Sequence, residues 1–121
     1  MSIGTFTIMG FDLMANNENY FRNNCWYWRP IQYLIAIKCQ DILPEKKIKS
    51  LGYNDGVLIT KNQAIKISDR LEKTIDDKKE ISKLKKDIMS ELGKVYKGCW
   101  DIDNFKEFID FCRKSEGFRI Y

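Results

Sequence analysis

Apolar and polar residues alternate from Thr5 to Leu13, with Phe6 and Ile8 in one phase and Phe11 and Leu13 in the other, past Gly10. A two-residue period predicts a strand, and the change of phase at a glycine predicts a kink or bulge. The asparagine-rich stretch Ala15 to Asn19 reads as a polar turn. Phe21 to Trp28 reads as extended, and Arg29 is held extended by the proline that follows it. Pro30 suits the first turn of a helix, where its missing N–H is no loss. That helix is expected to run to about Ile42, with Ile31, Leu34, Ile35 and Ile42 on its inner side and Pro44 at its exit.

A loop should follow, holding Gly52 and the turn signal Asn54-Asp55-Gly56. Thr60 and Gln63 have the spacing of a capping box, in which the threonine oxygen accepts from a backbone amide while the glutamine side chain reaches back. The helix they open carries Ala64, Ile67, Leu71 and Ile75 on one stripe. Asp76 to Lys79 interrupts that stripe, and Ile81, Leu84, Ile88 and Leu92 resume it about one residue out of phase. Either one long helix bends there or two helices meet at a tight turn. Gly93 is a plausible stop. In the last helix Asp101 or Asp103 is the cap, Phe105, Phe108, Ile109 and Cys112 form the apolar stripe, and Gly117 is the end. Phe118 to Tyr121 alternates like a short closing strand, whose natural partner is the strand near the N-terminus. The expected fold is α+β: a small, mostly antiparallel sheet of two to four strands, with three or four helices packed on one face.

Composition fits a single domain over residues 1–121, with 44% hydrophobic and 31% charged residues. No apolar run approaches the roughly 20 residues that a membrane span needs. The first ten residues lack a basic start and a long apolar run, so no secretory signal is expected, and the simplest location is the cytoplasm. The formal net charge of +4 is unevenly placed: from Glu45 to Lys97 there are 14 Lys/Arg against 9 Asp/Glu, a local excess of +5. Lys78, Lys79, Lys85 and Lys86 are its densest part, and they suit nucleic acid, an acidic protein surface or plain solvation.

Catalytic chemistry finds little to work with. The chain has no histidine, which removes Ser-His and Cys-His machinery and the commonest zinc partner. It has no phosphate-binding glycine loop. Cys25, Cys39, Cys99 and Cys112 are separated by 14, 60 and 13 residues, without a close pair. Cys39 and Cys112 fall on apolar helical faces and read as buried thiols. Neither a metal nor a cofactor is expected, and the chain is not expected to be an enzyme.

One cluster stands out: Tyr20, Phe21, Trp26, Tyr27, Trp28 and Tyr33 around Arg22 and Arg29, with Asp12 nearby in sequence. It has three readings. The two tryptophans pack under the helices, with Arg29 tied internally to an acid; or Tyr20, Tyr27 and Tyr33 stack on bases while Arg22 and Arg29 hold phosphates; or exposed Tyr, Trp and Arg form a protein-interface hot spot.

The runs Met9-Gly10-Phe11-Asp12, Tyr20-Phe21-Arg22-Asn23-Asn24-x-Trp26-x-Trp28-Arg29-Pro30 and Phe111-Cys112-Arg113-x-Ser115-x-Gly117-Phe118 together resemble small phage- and prophage-encoded proteins of unassigned function. Glu116 stands where those proteins usually have glycine, Tyr27 where they often have tryptophan, and Leu13-Met14 where a tyrosine-glycine pair is common. They tend to begin at the position of Met9, so residues 1–8 read as an extension. The resemblance implies a phage habitat, in which small accessory proteins often act by binding. The expected function is therefore a non-enzymatic protein that binds and inhibits a host defence protein in the host cytoplasm, as anti-CRISPR proteins do. A sponge for a nucleotide signal, a nucleic-acid-binding module, and a small structural or morphogenesis protein of the phage are the alternatives.

Overall fold

A computed structural model of the chain describes residues 10–121. The elements run β1 (Gly10–Ala15), β2 (Tyr20–Asn24), α1 (Cys25–Lys38), α2 (Glu45–Ser50), β3 (Val57–Thr60), α3 (Lys61–Asp76), α4 (Lys78–Leu92), a single 3-10 turn at Lys94–Tyr96, α5 (Ile102–Lys114) and β4 (Gly117–Ile120). The strands form one antiparallel sheet in the order β2-β1-β4-β3. The fold is α+β, and the closing strand lies between β1 and β3. The expected strand from Thr5 is seen from Gly10 onward; its first half lies outside the described residues.

Alternation decides which face of the sheet is covered. Phe11, Leu13, Phe21, Ile59, Phe118 and Ile120 are buried. Helices α1 and α5 close over them: Trp28 stacks on Phe11 at 5.8 Å, and Phe108 meets Trp28, Phe21 and Phe118 edge-on. Ion pairs tie the helical layer together at its rim, Lys38 to Glu80 at 2.6 Å and Arg113 to both Asp69 and Glu72.

Three expectations need correction. The extended run ends at Asn24, not Trp28, because the Asn24 side chain accepts from the Tyr27 amide and caps α1 five residues before Arg29. Arg29 is therefore helical, and Pro30 lies inside α1 rather than in its first turn. Trp26 and Trp28 lie on α1 itself and are not both packed into the core; Trp28 is fully buried, whereas Trp26 is half-buried against Tyr96 with ring centroids 5.1 Å apart. The same helix stops at Lys38 instead of about Ile42.

The second correction is the number of helices, five among the described residues. The expected loop contains α2, opened by Pro44, with Glu45 in its first turn and Lys47 and Lys49 in its last, each favoured by the helix dipole. Six residues are too few to show a 3.6-residue period. The third is the end of α5, which comes at Lys114; Ser115 is the cap, and Gly117 with φ 99° already belongs to β4.

Local chemistry settles the other boundaries. Gln63 N–H donates to the Thr60 hydroxyl, and the Gln63 side chain accepts from the Thr60 amide, so the capping box forms as read. Asp77 ends α3 and caps α4 through the Glu80 amide, making the interruption two helices. Gly93 stops α4 at φ 90°.

Candidate functional site

Among the described residues, the outward phase of the strands carries exposed side chains on the sheet's second face. Register places Tyr20 opposite Met14, Met14 opposite Arg119, and Arg119 opposite Leu58, one row crossing all four strands. At the usual strand spacing such a row is about 14 Å long. A second row holds Arg22 opposite Asp12, with Tyr121 joined to Asp12 by reciprocal backbone hydrogen bonds of 2.8 and 2.9 Å. Met14, Tyr20 and Tyr121 are each about half exposed, at 46%, 54% and 48%.

A polar knot joins β1 to the edge strand β2 on this face. The Tyr20 hydroxyl donates to Asp12 Oδ1, and Arg22 Nη1 donates to the same oxygen at 2.7 Å. These two donors, the tyrosine foremost, hold the Asp12 carboxyl below its ordinary pKa. The carboxylate in turn raises the Tyr20 and Arg22 values. Both protons stay on their donors at neutral pH, so the knot is a fixed ion pair and lacks a poised base. Gly10 makes room for it: a Cβ there would lie 2.1 Å from Arg22 Nη2. Asn54, from the turn read in the sequence, donates to the Gly10 and Tyr121 carbonyls and pins β1 to β4. Arg119 reaches the Gly56 carbonyl at 2.9 Å and meets no carboxylate among the described residues.

The remaining sequence-selected residues scatter. Arg29 lies on the buried side of β1, with its guanidinium 5.4 Å from the Phe11 ring centre. It donates to Gln32 and to the Gly52 carbonyl, so it is tied internally, to neutral partners and not to an acid. Tyr27 is exposed on α1, and half-buried Tyr33 packs against the core. Lys78, Lys79, Lys85 and Lys86 are exposed on α4, which the Lys38–Glu80 ion pair ties to α1. Tyr20 and Arg22 are thus the members of the motif that reach the sheet's second face, where Asp12 joins them.

Sequence reasoning missed Met14, Leu58, Arg119 and Tyr121. Their signal was the outward phase of each strand, which becomes a surface only when four strands pair. Cys39 and Cys112 are buried, as their helical phase indicated; burial raises the Cys39 thiol to about 12 and the Cys112 thiol well above its ordinary value. Among the described residues no three His, Cys, Asp or Glu side chains converge as a metal site requires, and no helix is long and apolar enough to cross a membrane. Comparison with protein-family models, curated proteins and solved structures finds no match to this chain.

Proposed function

We propose that this chain is a phage or prophage accessory protein that works without catalysis, binding and inhibiting a host defence protein in the host cytoplasm in the manner of an anti-CRISPR protein. The observation that carries the binding mode is the Tyr20-Met14-Arg119-Leu58 row beside the Arg22–Asp12 pair. Tyrosine, arginine and methionine are the types enriched where proteins bind one another. Arg22 is neutralised by Asp12, so among the described residues the face is amphipathic with one uncompensated cation, Arg119, a balance that suits a folded protein better than a phosphate backbone. The resemblance of the Tyr20–Pro30 motif to phage-encoded proteins supports the habitat.

The test is plaque formation by a phage that a defined CRISPR effector or restriction nuclease targets, in hosts expressing the chain. Wild-type protein is expected to restore plaques against one such system and to co-purify with its effector. Met14→Asp and Arg119→Glu should lose both effects while keeping the wild-type melting temperature. A partner held by this face should bind with less than about tenfold change between 50 and 200 mM salt, whereas nucleic acid held through six or more phosphate contacts would lose about a thousandfold or more. Rescue that survives both substitutions would remove this face from the mechanism.

A further inference from the structure

At the other end of the chain's basic span, the last turns of α4, the 3-10 turn and the segment after it line an open surface cleft of about 530 Å³. Its volume lies inside the roughly 300–1,000 Å³ range of small-molecule sites. Met89 and half-buried Trp100 give it an apolar lining; Trp100 is braced edge-on against Phe105, with centroids 4.8 Å apart. Three lysines line the same cleft: Lys85 from α4, Lys94 from the 3-10 turn and Lys97 just beyond it. No acidic side chain lines it, and none of the three lysines is ion-paired among the described residues. What sets this cleft apart from the other lysine-lined ones is the tryptophan and methionine beside three cations: the cleft at Lys66 and Lys73 also holds Asp41 and Asp69, and the one at Lys46 and Lys47 holds Asp55.

The backbone leaves the cleft open. Gly93 and Gly98 both line it with positive φ, 90° and 86°, and a Cβ at either would meet nothing within 4 Å. A ligand can therefore approach the main chain closely at two points. Ser90 adds a hydroxyl to the lining.

We infer that this cleft binds a nucleotide, its base lying against Trp100 and Met89 and its phosphates among Lys85, Lys94 and Lys97. Lysine serves phosphate as a point charge, and three of them match a multiply charged group better than a single carboxylate. The apolar floor accounts for a flat base, which free phosphate would leave unused. This site is distinct from the sheet's second face and from the Arg22/Arg29 motif to which the sequence assigned nucleotide chemistry.

The experiment is isothermal titration of the full chain with ADP, and separately with adenosine and inorganic phosphate, at low salt. Saturable one-to-one ADP binding is expected, at least tenfold tighter than either fragment. The double variant Lys94→Ala/Lys97→Ala should weaken it tenfold or more with an unchanged melting temperature, since those side chains touch no partner that folding needs. Met14→Asp, on the sheet face, should leave ADP binding intact, which separates this site from the proposed protein interface. Absence of ADP binding up to millimolar concentration would overturn the assignment. So would phosphate binding as tightly as ADP, or a double variant that binds like wild type.

Discussion

Replacing Trp28 with alanine removes the largest fully buried side chain of the protein. The indole contacts Phe11 at 5.8 Å and Phe108 at 5.6 Å, and its Nε1–H donates to the Leu51 carbonyl at 2.8 Å. Truncating a core aromatic to alanine costs about 3–5 kcal/mol through lost transfer energy and the cavity left behind. The buried Leu51 carbonyl, left without its donor, adds about 1–3 kcal/mol unless water reaches it. A domain of this length has a net stability of about 6–18 kcal/mol, so the variant should keep only part of its margin or none. In calorimetry the melting temperature should fall by about 15 °C or more, at roughly 4 °C per kcal/mol. Trp28→Phe separates the two terms: it retains most of the ring contact but loses the hydrogen bond, and should cost about 1–3 kcal/mol. An alanine variant melting within about 2 °C of wild type would refute the assignment of Trp28 as the element that joins sheet, α1 and the Leu51 segment.

The capping box gives a smaller effect: Thr60→Ala should destabilise by about 1 kcal/mol in urea titration, with an unchanged m-value, because only a local cap is lost. Thiol labelling at pH 8 should modify half-buried Cys25 and Cys99 in the native state, and Cys39 and Cys112 only on unfolding; four fast-reacting thiols would contradict the burial of the latter two. Asp41 carries a pH signature. The Arg70 guanidinium, then a backbone hydrogen bond, lower its carboxyl to about 2 from an ordinary 3.8. A depressed folded-state value means that its contribution to stability is fully present above about pH 3.8 and is lost as pH falls through about 2. The stability difference between wild type and Asp41→Asn should therefore shrink from pH 5 to pH 2, and a difference that stays constant would show that the pair does not act in the folded state.

Much of the fold was written in the sequence, because its determinants are local. The stripe Ala64, Ile67, Leu71 and Ile75, the Thr60–Gln63 box, the Asp77 interruption and the Gly93 stop are all set by neighbours within four residues, and each appears where the pattern placed it. The buried stripe of α5 is equally local. Where local signals competed, the reading failed. Pro30 disfavours helix at Arg29, yet the Asn24 cap together with burial of Trp28 against Phe11 and Phe108 outweighs that preference. Short elements such as α2 and β3 carry too few residues for a period to emerge.

The candidate sites belong to tertiary structure almost entirely. Tyr20 and Arg22 drew notice as members of a crowded motif, but Met14, Leu58, Arg119 and Tyr121 have nothing in common until β4 inserts between β1 and β3 and turns their outward phases into one surface. The motif itself is divided by the same event: the sheet keeps Tyr20 and Arg22 outside, while α1 carries Trp28 into the core and ties Arg29 to Gln32 and Gly52. A sequence records which residues can face water on each element; strand order and the angle at which a helix leaves its cap decide which of them meet.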